Sequence, residues 1–146
     1  MTRFLYFFFI AVCFLFIFFM NNNMQKKQGF ILYGASLLVL PVLAVVCMLL
    51  MKVSGFQPGP DFKYFFFAVL MSIAVLILNS LAILTGDFLL DALTGFHEKY
   101  NTENLHRKPI SFAIRNRDNI RMFYRILFFL GSCLELYGVW FDKAAR

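Results

Sequence analysis

An all-α membrane protein with four transmembrane helices is the fold class this sequence predicts, and three observations predict it. Of its 146 residues, 61% are hydrophobic and only 15% are charged, against about 45–50% apolar and about 25% charged in a soluble domain. The apolar residues fall into four long runs separated by short polar or Pro/Gly-bearing stretches, and the charges concentrate between the third and fourth runs. A chain of this size leaves much of its surface facing solvent, so a mean hydropathy of +0.73 is best accommodated if that solvent is lipid. The chain then reads as a single transmembrane domain, with spans at about 4–20, 29–51, 64–86 and 122–141. A cytoplasmic connector, a helical extension followed by a basic segment, occupies about 87–121.

The first run, Phe4 to Met20, nearly crosses a ~30 Å hydrocarbon core at ~1.5 Å per helical residue. It is long for the apolar part of a signal peptide, and Asn21, Asn22 and Asn23 stand where small residues would mark cleavage, so it is read as a retained span. Its many phenylalanines place it at the periphery. After a polar turn with Lys26 and Lys27, the second run carries Gly34, Ala35, Ser36 and Ala44 as small surfaces for helix contact. Pro41 falls in mid-span and removes one backbone hydrogen bond.

Gly55, Pro58, Gly59 and Pro60 mark a loop. The third run begins near Tyr64 and stays apolar to Leu93, more than a bilayer needs. A crossing to Gly86 and a projection of a turn or two beyond are expected, carrying Asp87 and Asp91 on one face at i and i+4. The stretch from Gly95 to Lys108 reads as polar connector. Pro109 can open a short helix with Ile110, Ala113 and Ile114 on one side, lying along the headgroups before the fourth span.

Four crossings place both termini on one side. Lys26, Lys27, Lys99, Arg107, Lys108, Arg115, Arg117, Arg121 and Arg125 then share the other, opposed by Arg3, Lys52, Lys63, Lys143 and Arg146. The positive-inside tendency assigns the richer set to the cytoplasm. The expected location is the cell inner (plasma) membrane, multi-pass, with non-cytoplasmic termini.

Two groups of polar residues need partners. Arg117, Arg121 and Arg125, four apart, stand at the mouth of the fourth span opposite Asp87 and Asp91. Counting with Asp87 level with Met122 predicts an ion-pair cluster here, beside the plainer expectation that the arginines anchor the span to headgroup phosphates. Glu135 lies within the fourth span between Gly131 and Gly138, where a carboxyl is costly and faces a bundle interior or a wet cavity. The same count makes Ser72 its nearest polar neighbour and places Asn79 deeper, near Leu130. A structural, hydrogen-bonded carboxyl, a lining residue of an ion path, and simple placement near the outer interface are the competing readings.

No reaction-defining pattern appears. His97-Glu98 lacks the second histidine of a zincin motif, and His106 has no cysteine beside it. No nucleophile elbow or phosphate-binding glycine loop is present. Cys13, Cys47 and Cys133 are odd in number and widely spaced within apolar runs, which suits buried thiols better than disulfides or zinc. Asp87 and Asp91 alone are too few for a metal, so no cofactor is expected. The basic connector is accounted for by topology before nucleic acid. The functional expectation is a non-enzymatic interaction or regulatory protein of the immunity, defence or accessory-subunit type. It would lie in the lipid bilayer, self-associate as a homo-oligomer, and meet a cytoplasmic protein partner at the connector. The alternative is a small oligomeric channel or transporter using Glu135, Asn79 and Ser72.

Overall fold

The structure, a computed structural model, describes residues 2–21 and 24–141. Asn22 and Asn23 of the first turn, and Lys143 and Arg146 of the outer charge set, lie outside the described residues. Helix α1 (Thr2–Leu15) runs on through a π-helical turn (Phe16–Met20), followed by α2 (Lys26–Val53), α3 (Pro60–Tyr100), a 3₁₀ turn (Thr102–Asn104), α4 (Ile110–Arg115) and α5 (Arg117–Phe141). Among the described residues there is no strand. Four helices are long and apolar enough to cross a membrane: Thr2–Met20, α2, α3 and α5.

α3 is the organising element. Pro60, preset in φ, begins it just after Gly59. The helix projects farther beyond Gly86 than expected. α3 continues for 14 residues past it, about 20 Å rather than a turn or two. An internal glycine costs a helix only about 1 kcal/mol relative to alanine, and Gly86 has a packing use: a Cβ there would stand 3.4 Å from the Tyr124 ring. The connector proper is therefore shorter than 87–121, confined to the segment between Tyr100 and Arg117. Within it α4 begins after Pro109, and Ile110, Ala113 and Ile114 turn toward Leu90, Leu93 and Thr94 of α3 across a 210 Å³ cavity.

Two faces of α3 carry the core. Ala68 and Val75 pack with Phe9 and Cys13 of α1 and with Leu136 and Trp140 of α5. Ile77 and Leu84 pack with Tyr33 of α2. The expected periphery is reversed: α1 sits against α5 and α3, with Phe9, Cys13 and Ile17 buried, while α2 buries only Gly29 and Tyr33. The phenylalanines of α1 are not merely lipid-tolerant. Phe9 stacks on Trp140 at 6.1 Å, and Phe14 and Phe18 meet Phe129 edge-on at 5.6 and 6.0 Å, arrangements that add to simple contact.

α2 touches α3 closely at Gly29, where an added Cβ would lie 2.7 Å from Leu84 Cδ2. Gly34, expected to make that approach, faces open space. α2 passes through Pro41 without a break and ends at Ser54, with Gly55 at φ +69°. This left-handed residue is the usual glycine stop. At the other end of α2 the Tyr33 hydroxyl donates to Asn21 Oδ1 at 2.6 Å, tying the π-helical turn to the second helix.

Candidate functional site

The polar residues of α3 that face α5 recur at Tyr64, Ser72, Asn79 and Asp87, spaced eight, seven and eight apart. Two helical turns separate successive members, so one face of α3 meets α5 with a polar contact every two turns. Tyr64 donates its hydroxyl to the Val139 and Trp140 carbonyls at 2.9 and 3.0 Å. Trp140 Nε1 donates to Ser72 Oγ at 2.9 Å, and Ser72 donates in turn to the Ala68 carbonyl at 2.7 Å. Asn79 Nδ2 donates to Glu135 Oε2 at 2.8 Å and to the Val75 carbonyl at 3.1 Å.

This corrects the expected pairing of Glu135. Its partner is Asn79, not Ser72, which is taken by Trp140. The two helices are displaced by about one turn from the predicted register, because Asp87 lies opposite Arg125 rather than Met122. Glu135 is exposed beyond that one contact. Added Cβ atoms at Gly131 and Gly138, on either side of it, would meet nothing within 4 Å. The glycines flank the carboxyl but do not receive another helix of this chain.

Beyond Asn79, toward the Tyr100 end of α3, the seam becomes ionic, and the structure brings together Asp87, Asp91, Arg117, Arg121 and Arg125. Asp87 Oδ2 accepts from Arg125 Nη2 at 2.8 Å, and Asp87 Oδ1 lies 3.3 Å from Arg121 Nε. Tyr124 donates its hydroxyl to Asp87 as well. Asp91 pairs with Arg117 and Arg121 on its Oδ1 and with Lys26 on its Oδ2. Each aspartate thus lies between two arginines of α5, with Arg121 shared. Two carboxylates at i, i+4 match three guanidinium groups at i, i+4, i+8 because α3 and α5 rise equally per residue. Asp87 and Arg125 are both buried, a burial tolerable for charges only when they are paired.

Lys26, Tyr124, Trp140 and Tyr64 were not among the residues expected in the site. The two-turn spacing of α3 is the sequence signal that could have found Tyr64 and its neighbours. Lys26 was within reach of topology alone, since an even number of crossings returns the α1–α2 turn to the end where the connector lies. Lys26 holds α2 to α3 at two points: its ammonium pairs with Asp91 and also approaches the Asp87 carbonyl at 3.4 Å. Burial and the neighbouring Arg121 guanidinium lower its pKa, Asp87 works against them, and Arg117 adds to the lowering.

His97 Nδ1 lies 3.0 Å from the Asn101 amide nitrogen at the end of α3. Among the described residues no group of three or more His, Cys, Asp or Glu side chains converges as a metal site would. Cys13, Cys47 and Cys133 are free thiols. The arrangement binds helices to one another and holds unlike charges in a partly buried junction. Comparison with protein-family models, with curated proteins and with solved structures gives no match.

Proposed function

We propose that the protein is a multi-pass membrane protein of the inner (plasma) membrane that works by contact rather than catalysis, offering the projecting end of α3 to a protein partner. The observation that carries this reading is an exposed apolar stripe on that projection, whose Leu93 also edges the cavity against α4. Leu89, Leu93, Phe96 and Tyr100 are spaced four, three and four apart, so they share one face, and all four are exposed. They lie beyond the Asp87 level, where charged side chains gather and hydrocarbon ends. A contiguous apolar patch outside the bilayer marks a contact site. The opposite side of the same segment carries Asp91 and Thr94, which face the junction and the connector. The ionic pairs thereby brace a helix whose other face is left free. The cytoplasmic assignment of this end is supported by its cationic majority and by the meeting of Lys26 with the α5 arginines around Asp91.

The test is site-specific photocrosslinking in cells. A photoreactive residue at Phe96 is expected to yield one defined protein adduct, at least several-fold stronger than the same residue at Leu38 on α2. Leu93→Glu, placed in the Phe96-labelled protein, should abolish the adduct while leaving the protein in the membrane fraction. Crosslinks confined to lipid at both positions would overturn the reading.

A second reading, an oligomeric ion conduit, is favoured by Glu135, whose carboxyl stays exposed between two open glycine positions. Purified protein in liposomes decides between them. The contact reading expects no selective flux; flux that Glu135→Gln abolishes would establish the conduit.

A further inference from the structure

The junction where α2, α3 and α5 meet is unequal in charge. Asp87 and Asp91 face four cations: Lys26, Arg117, Arg121 and Arg125. Among the described residues the one other carboxylate in the network, Asp118, is 93% exposed and reaches Arg121 at 3.5 Å, so it does little to redress the balance. The excess is not confined to freely hydrated side-chain tips. Arg117 Nε is shielded from solvent and has no hydrogen-bond acceptor. Burial lowers the pKa of Lys26 most, and Arg121 and Arg117 lower it further against the pull of Asp87. The outer side of the cluster is open: the side chains of Lys26 and Arg117 keep 38% and 35% of their accessibility. Both reach one carboxylate, Asp91, from different helices, so an anion bound on that open side would meet an ammonium and a guanidinium together.

We propose that this junction is a binding site for a phosphate group, held between Lys26 and Arg117 and completing the charge around Asp91. Guanidinium and ammonium groups suit this ligand: arginine meets phosphate oxygens with a planar fork, and lysine supplies a point charge. The bilayer offers the nearest source. The junction stands at the end of apolar helices, and Phe30 and Phe88 pack edge-on at 6.1 Å close by in sequence on α2 and α3, an apolar flank fit for acyl chains beneath a headgroup. An anionic phospholipid then acts as a fifth element tying α2 to α5. The site does not rest on the protein-partner reading, since it lies on the braced side of α3 and not on the Leu89–Tyr100 stripe.

The experiment follows thermal unfolding of delipidated full-length protein in a non-ionic detergent. Phosphatidylglycerol, phosphatidylcholine and inorganic phosphate are added in separate arms. At about a hundredfold excess over the dissociation constant, phosphatidylglycerol is expected to raise the midpoint by about 5–10 °C, with phosphatidylcholine well below it. An equal rise with inorganic phosphate would support the site and identify a free phosphate as its ligand; a rise with phosphatidylglycerol alone identifies the lipid. Arg117→Gln and Lys26→Gln, each measured against its own lipid-free midpoint, should lose most of the shift. Lys63→Gln, which removes the same charge at the far end of α3, should keep it. If either variant fails to fold, native mass spectrometry of the wild-type protein gives the same comparison as retained phosphatidylglycerol against phosphatidylcholine. No preference for either phosphate source over phosphatidylcholine, or an equal loss in Lys63→Gln, would overturn the proposal.

Discussion

Asp87→Asn is expected to destabilise the protein by about 3–5 kcal/mol, the range found when one partner of a buried ion pair is removed. Asp87 is 6% exposed and Arg125 7%, so the guanidinium left behind cannot turn to water without opening the α3–α5 interface. The Tyr124 hydroxyl loses its carboxylate acceptor in the same substitution. Asp91→Asn should cost less, because its side chain is more accessible and its cations Lys26 and Arg117 can hydrate. Asp118→Asn, on a nearly fully exposed carboxylate, should stay within about 0.5 kcal/mol. The order Asp87, Asp91, Asp118 is the prediction, read from detergent unfolding followed by the fluorescence of the single tryptophan, which is buried in the α1–α3–α5 core. A companion variant separates pairing from packing. Asp87→Leu with Arg125→Met removes both charges and should recover much of the loss. A double variant no more stable than Asp87→Asn would mean that the two residues are not a pair, and the register drawn from them would fail with it.

How much of this was legible in the sequence depends on which physical force wrote it. Apolar length is recorded directly, so the four candidate spans appear at nearly the positions read from the runs. The complement of charges at one end was legible too, because Asp87, Asp91 and the arginines at 117, 121 and 125 repeat at helical spacing. Which helix is central and which peripheral was not. In water an apolar face points inward; in lipid every face is apolar, and packing is decided by shape and by small contacts. The phenylalanines of α1 therefore said nothing about their side, and the close approach fell at Gly29 rather than Gly34. Register was lost for a related reason. An arginine reaches more than a helical turn along its own axis, so matching acids to arginines fixes which residues meet but not their level. The length of α3 was underestimated because the polar stretch after Gly95 was read as connector, whereas the helix runs on to Tyr100.

Trp140→Ala should produce the other large loss, about 3–5 kcal/mol, the usual range for emptying a fully packed aromatic site. Trp140 is fully buried, stacks on Phe9 and meets Phe65 at 6.3 Å. In a membrane the transfer of an indole from water contributes little, so the cost lies in the vacated volume and the lost contacts. That distinction makes Trp140→Phe informative. It keeps a six-membered aromatic ring and removes the Nε1 donor to Ser72 together with the smaller ring of the indole. Interhelical hydrogen bonds in bilayers average about 0.6 kcal/mol, so Trp140→Phe and Ser72→Ala should each cost on the order of 1 kcal/mol, with a coupling of similar size in the double-mutant cycle. Circular dichroism replaces fluorescence as the probe for these variants. A coupling near zero would separate Ser72 from Trp140 and reopen Ser72 as a neighbour of Glu135. A measurable coupling fixes the Trp140 end of the seam one turn from the predicted register, while the Tyr124 ring against Gly86 limits slippage at the other end. With both ends fixed, two rigid helices have no freedom left between them, and Asn79 must fall beside Glu135. The Glu135 carboxyl is thus placed by the ends of the seam, while its hydrogen bond from Asn79 is too weak to set the register.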